Sequence, residues 1–515
     1  MSAQAQPDPV ADVLGQFPPG ESPSGAGERL LLEMAGLVDP PAAATDTPTR
    51  PKADRTFDVP NAPGDPIFGA DVMVNDPADD NLTTDNTTQS ETALAIDAST
   101  VCAGYNDFTA GGLSGLASSA NSGQTWTDLD GIGGRGDPVI AAHSTTGDFF
   151  YGEIATTGGN PAIGIARSTD GCQTFAAAVD ASPVSSGLAG TTLNDKPWIA
   201  VDNTGGANDG DVYVCWTRFF QTTPGNAATG TSEMRFSRSN DNGATFIGEQ
   251  VIVPQGSAAF GCSIQVGANG EIYIAYANRA ADQIEFLRSL DGGLTFGAII
   301  DIDAAAAQPG DVTAANNCGT NNTRPILNGN IRMLHGAWLA VDTTGGPNDG
   351  NIYVAWMENP ANATDRSNVL VARSTDGGLT WGNVQQMGVA ANNLDEFDPY
   401  IAVSPTGVVA AAWYDKRNDN PGNTSTDVYT AFSTDGGVTY GAGVRVSDAT
   451  AGIPPLFPHY NPGTAQCYFG EYLAVAGDAA SFHYLWGDGR RSITTTGFPA
   501  GRLDLDVWYD RLEAP

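Results

Sequence analysis

Ser374-Thr375-Asp376-Gly377-Gly378-Leu379-Thr380-Trp381 is one of six copies of a single eight-residue pattern, Ser-x-Asp-x-Gly-x-Thr-aromatic. The copies at residues 239–246, 289–296 and 433–440 keep every position. The copy at 168–175 has Cys172 in place of the glycine, and the copy at 119–126 has Asn121 in place of the aspartate. Each reads as a tight turn between two strands. The aspartate accepts hydrogen bonds from the turn's own backbone N–H groups. The glycine supplies the positive φ that a tight hairpin needs, and the aromatic opens the next strand and packs inward.

The pattern resembles the Asp box of the sialidase-like (BNR) β-propeller superfamily. As a turn it is a fold staple rather than a catalytic device. Outward from the boxes, the chain repeats one unit: inner strand, second strand, loop, third strand, box, fourth strand. Trp198-Ile199-Ala200-Val201-Asp202 and Trp338-Leu339-Ala340-Val341-Asp342 read as inner strands. Val212-Tyr213-Val214-Cys215-Trp216 and Ile352-Tyr353-Val354-Ala355-Trp356 read as second strands. Inner strands begin near Glu91, Asp137, Lys196, Cys262, Gly336, Asp398 and Glu471, which makes seven units for six boxes.

The last unit lacks a box and a fourth strand. Asp71-Val72-Met73-Val74-Asn75-Asp76 is similar to Gly443-Val444-Arg445-Val446-Ser447-Asp448, the outer strand of the sixth unit. This similarity predicts that residues 71–76 close the ring as the outer strand of the last blade, which removes open sheet edges. The expected fold is therefore all-β, a seven-bladed propeller of four-stranded antiparallel blades over residues 66–515. A six-bladed ring, as in sialidases proper, is the alternative. Residues 1–65, rich in Pro, Ala and Asp, read as an extended or disordered tail with one short helix near residues 28–37, which could dock on the propeller or be a pro-segment, a loosely attached tail being the favoured reading.

The net charge of −36 and the presence of only three lysines, Lys52, Lys196 and Lys416, argue against nucleic-acid binding, since little here would neutralise phosphates. No apolar run reaches transmembrane length. Such a surface fits a secreted or cell-surface protein, although no export signal is visible. The six cysteines show no zinc spacing and permit disulfides whose pairing the sequence leaves open.

In a four-stranded blade the boxes and the first-to-second turns share one face. The opposite face collects the inner-strand entries and second-strand exits, where Glu91, Asp137, Asp398 and Glu471 are candidate acid/base residues. Arg218, Arg279, Arg417 and Arg490 are candidates for holding a substrate carboxylate, whose two oxygens match a guanidinium fork. Insertions at residues 301–334, with Arg324 and Arg332, and 448–468, with Tyr468, add to that face. Trp413-Tyr414-Asp415-Lys416-Arg417 and Trp486-Gly487-Asp488-Gly489-Arg490 share Trp-x-Asp-x-Arg, for which an ion pair between neighbouring blades is the structural alternative. The matched loops at 202–211 and 342–351 offer Asp202, Asp209, Asp211, Asp342 and Asp349 as calcium ligands, or form Asx turns held by their own side chains.

The resemblance implies a glycoside hydrolase of exo-sialidase type acting on terminal acidic sugars, with no required cofactor. Such an enzyme needs at least three arginines converging on one carboxylate. The alternative is a non-catalytic propeller that binds glycan or protein. Because propellers host many functions, the fold alone does not choose.

Overall fold

A computed structural model describes residues 23–38 and 70–515, apart from 110–112, 130, 187–191, 221–231, 312–324, 334, 361–363, 389–392 and 462–463. Arg324, Cys318 and most of the 1–65 tail thus lie outside the described residues.

Seven antiparallel sheets stand around one axis. The first blade runs Gln89–Asp97, Thr100–Asp107, Ser114–Ser119 and Thr127–Asp128, and the next five repeat that order outward from the axis. Alternating apolar residues face the neighbouring blades. Trp216, Trp356, Trp413 and Trp486 are fully buried at matching positions of four second strands. Truncating such a residue typically costs about 3–5 kcal/mol.

The seventh blade joins Ala474–Gly477, Ser481–Ile493 and Arg502–Glu513 to Val72–Met73 from the other end of the chain. Val72 pairs with Tyr509 and Met73 with Trp508. The Asn75 side chain continues the seam, accepting from Val507 N–H at 2.8 Å and donating to Asp506 at 3.1 Å. The ring closes as the similarity of residues 71–76 to 443–448 predicts.

Each box does more than turn the chain. Asp376 accepts from the Leu379 and Thr380 N–H groups and from the Thr380 hydroxyl, at 3.0, 2.9 and 2.6 Å. These bonds pull its carboxyl down to about 2. The box glycines then receive the preceding blade. A Cβ on Gly293 would lie 2.4 Å from Phe236, one on Gly378 2.1 Å from Phe286, and one on Gly437 2.6 Å from Tyr353. Arg238, Arg288 and Arg373 of those preceding blades donate to the carbonyls of Gly292, Gly377 and Gly436 at 2.6–2.8 Å. The box is an inter-blade staple.

Where Cys172 replaces the glycine, at φ 64°, its sulfur is bonded to Cys102 of the preceding blade. The covalent link stands in for the aromatic-on-glycine contact. Cys215–Cys262 joins the third and fourth blades in the same sense, and Cys467 is also disulfide-bonded.

One helix, α1, spans Gly25–Met34 and is capped by the Ser24 hydroxyl, which accepts from Gly27 N–H. The sequence suggests a loosely attached segment. The structure instead seats α1 on the propeller, with Ala26, Leu30 and Leu31 buried against Ile154, Leu193, Phe219 and Phe260. Among the described residues no helix is long and apolar enough to cross a membrane.

Candidate functional site

The inner strands enter the ring through a recurrent bulge. Register breaks at Ser90/Ala93, Asp195/Trp198, Phe260/Ser263 and Phe397/Tyr400. The residue inside each break has left-handed backbone: Glu91 at φ 52°, Lys196 at 51°, Gly261 at 63° and Asp398 at 45°. Asp137, at the second blade's entry, has φ 53°. Glycine adopts this conformation freely, whereas other residues pay on the order of 1–2 kcal/mol for it. Asp137, Lys196 and Asp398 also stand directly before prolines, which narrows their backbone further. Strain of this kind persists only where surrounding structure enforces it, and it concentrates at functional positions. Its effect here is to aim charged side chains at the axis.

Those side chains meet. Lys196 Nζ lies 3.2 Å from Glu471 and 3.7 Å from Glu91, which come from the third, seventh and first blades, and 3.9 Å from the centroid of the Tyr472 ring. Asn106 donates to Glu91 at 2.9 Å and accepts from Asp137 N–H at 2.7 Å. Tyr468 is tied to Ser90 at 2.7 Å and accepts from Asn106 at 3.0 Å. Arg332 pairs with Glu471. All four candidate carboxyls, Glu91, Asp137, Asp398 and Glu471, therefore reach one buried cluster, joined by Asp195, Lys196 and Arg332.

Its electrostatics are unbalanced, because carboxyls outnumber cations. Burial pushes Glu91 well above the usual carboxylate range, Lys196 opposes this, and Asp137 and Glu471 add to it. This direction favours the protonated form of Glu91. Glu91 Oε1 and both Asp137 carboxyl oxygens are buried without a hydrogen-bond partner. Burial likewise raises Asp398, reinforced by Glu471 and only partly offset by Lys196. Neither Asp398 oxygen has a hydrogen-bond partner. Burial pushes Lys196 down, but Glu91, Asp137, Glu471 and Asp195 outweigh it and hold the ammonium charged. The arrangement thus sets carboxyls whose protonated form burial favours beside further carboxyls and a fixed cation. That is the equipment of acid/base chemistry on a polar bond.

The candidate arginines stay with their own blades. Arg218 pairs with Glu233 at 3.2 Å, and Arg279 stacks 4.1 Å over the Phe260 ring. Arg417 pairs with Asp415 at 2.5 Å, and Asp415 also accepts from the Trp413 indole at 2.8 Å. Arg490 pairs with Asp488 at 2.5 Å and with Asp71 of the closing strand. Trp-x-Asp-x-Arg is therefore a clamp within a blade rather than a tie between blades. Arg332, from the 301–334 insertion, is the arginine at the axis.

The loops offered for calcium hold themselves. Asp202 accepts from Thr204 N–H and hydroxyl at 2.9 and 2.6 Å, and Asp209 accepts from Gly205 N–H at 2.9 Å. Asp342 and Asp349 repeat this within 0.1 Å, and Asp211 lies beside Asp202. Among the described residues the close carboxylate trio is instead Asp80, Asp504 and Asp506. The Arg491 guanidinium already lies 2.6 Å from each of the three.

Beyond the cluster, an axial cavity of about 290 Å³ runs between the inner strands. Trp198 lines this cavity and packs on Tyr400 and Tyr472, making an aromatic layer next to Lys196.

Three parts of this site have no strong sequence signal. Arg332 lies in an insertion whose place in the chain points only to this face, Asn106 is the penultimate residue of the second strand Thr100–Asp107, and Ser24 and Glu28 come from the tail. The one hint is the small-residue run Gly25-Ala26-Gly27 ahead of Leu30-Leu31.

No protein-family model and no curated protein matches the chain. Solved structures do. A protein of unknown function from Dyadobacter fermentans is 12% identical, with 90% of this chain and 99% of that one covered, at a TM-score of 0.43. A Hadza microbial sialidase is 14% identical over 72% and 65% of the two chains, at 0.39. The NanB sialidase from Streptococcus pneumoniae is 10% identical over 80% and 83%, at 0.41. The chain is a seven-bladed β-propeller of four-stranded antiparallel blades.

Proposed function

We propose that this protein acts on carbohydrate as a glycoside hydrolase whose acid/base groups are Glu91, Asp137 and Asp398. The observation that carries this reading is the convergence of strained, buried carboxyls on the axis, with Lys196 Nζ 3.2 Å from Glu471 and 3.7 Å from Glu91 and with both Asp137 and both Asp398 oxygens unpartnered. Glycoside hydrolysis needs one carboxylic acid to protonate the leaving oxygen and one carboxylate to assist attack or bond the sugar. Glu91 fits the first role and Asp137 the second. Asp398, from the entry of the sixth blade, is a second carboxyl whose protonated form burial favours. Lys196 and Arg332 are the cations that would meet an acidic sugar, which keeps the exo-sialidase type as the finer form of the proposal. The disulfides suit an oxidising compartment, so the working location is outside the cell.

One observation favours a non-catalytic glycan-binding reading. Arg218, Arg417 and Arg490 are each engaged by a carboxylate of their own blade and form no triad. A panel of aryl glycosides, neutral and acidic, separates the two readings when run beside a glycan array. Turnover that disappears in Asp137→Asn supports hydrolysis. Array binding without turnover of any glycoside by protein with an open site removes the catalytic reading.

A further inference from the structure

Helix α1 lies on the same mouth as the carboxyl cluster, and its first turn is fitted to it. Ser24 donates its N–H to one Asp195 oxygen at 2.7 Å and its hydroxyl to the other at 2.6 Å. Glu28 meets Arg332 at 3.2 Å, and the same guanidinium holds Glu471. A tether outside the cluster pairs Glu33 with Arg135 at 2.6 Å.

The small residues of the turn are required by this seat. A Cβ on Gly27 would lie 2.6 Å from Asp195 Oδ1, and one on Gly25 would lie 2.6 Å from the Tyr468 ring. From the ring side, a Cβ on Gly136 would lie 2.7 Å from Ala26 Cβ. Backbone of α1 thus occupies the space directly above Asp195, Arg332 and Tyr468. That is also the approach to Glu91 and Asp137 from this face.

We propose that α1 is a tethered plug of the site: the ligand reaches Glu91, Asp137 and Asp398 only when the helix leaves. This rests on the carbohydrate-site reading above. The groups that anchor α1 are those a polar ligand would use, namely a carboxylate that takes hydroxyl and N–H hydrogens and an arginine that takes a carboxylate. Ser24 and Glu28 present a hydroxyl and a carboxylate in those positions. The plug is also built to be released. A ten-residue helix is marginal by itself, and α1 is held by three buried apolar side chains, Ala26, Leu30 and Leu31, together with polar contacts that water or a ligand can replace.

The test is carboxyl labelling of the full chain with a water-soluble carbodiimide and glycine ethyl ester, read by mass spectrometry. The exposed box residue Asp376 serves as the internal reference. Gly27→Leu cannot seat the turn, and the double variant Ser24→Ala/Glu28→Gln removes both polar anchors without adding bulk. It decides the matter where Gly27→Leu fails to fold. Labelling of Glu91, Asp137 and Asp398 is expected to rise at least about tenfold in the released variants. A synthetic peptide of residues 23–37 added in trans should suppress the rise. Unchanged protection of all three carboxyls in a folded released variant overturns the plug. Raised labelling with no glycoside turned over and no glycan bound leaves the plug standing and removes the carbohydrate reading instead.

Discussion

Asp398 sits at φ 45°, buried, with neither carboxyl oxygen hydrogen-bonded. Structure alone gives a cell no reason to keep it, since an unpartnered buried carboxyl opposes folding. Asn has the same shape, tolerates left-handed backbone and cannot ionise. Asp398→Asn should therefore leave the melting temperature at pH 8 unchanged or higher while lowering turnover about 10²–10⁴-fold, the usual weight of one acid/base group. A variant that loses stability with its activity would make Asp398 a structural residue. Gly378 gives the opposite case. Gly378→Ala meets both φ 82° and a Cβ–Phe286 distance of 2.1 Å. Urea unfolding should show a loss of about 2–4 kcal/mol. Leu379→Ala one residue on, at a side chain 54% exposed, should stay within about 0.5 kcal/mol. At this scale the sequence announces which side chains are charged and which face they share. It does not announce which guanidinium is already engaged. Arg417 and Arg332 look alike as letters, and only packing puts one beside Asp415 and the other beside Glu471.

Among the elements, boxes and blades were legible because the repeat prints one physical requirement six times. The closing strand was legible because residues 71–76 copy the outer strand of the sixth blade. Helix α1 was not. Its docking depends on Gly25 and Gly27 fitting beneath Arg332 and against Asp195, partners more than 150 residues away in the chain. Local composition reports none of that and reads as a tail. The box with Cys172 shows what the repeat can trade. Its disulfide to Cys102 closes 70 residues, a loop whose cross-link is worth about 2–4 kcal/mol. Cys102→Ser/Cys172→Ser should lose that much in denaturant unfolding. Cys102→Ser/Cys172→Gly should recover about 1 kcal/mol of the loss, because glycine relieves φ 64° at that position. Equal stability of the two double variants would mean the backbone at 172 is unstrained.

For the whole molecule, two sets of carboxyls set opposite limits on pH. Burial raises Glu153 to about 8 and Asp195 to about 7, and also lifts Glu91 and Asp398 well above their ordinary values. In the unfolded chain these groups titrate near 4. Between about pH 4 and pH 8 the native state therefore binds more protons than the unfolded state, and stability falls as pH rises. The box carboxyls act the other way. Asp291, Asp376 and Asp435 are held down to about 2 by their turn hydrogen bonds. Their contribution is full above the unfolded value and is lost as pH falls toward 2. The net charge of −36 adds self-repulsion at neutral pH and above. Together these place the highest melting temperature between about pH 4 and pH 6. Scanning calorimetry from pH 3 to 9 should show a maximum there, and raising salt should lift the melting temperature more at pH 8 than at pH 5, because screening relieves like-charge repulsion. A melting temperature that climbs steadily to pH 8 would mean that the axial carboxyls are ionised and compensated in the native protein. The proton on Glu91, and with it the acid in the proposed chemistry, would then be lost.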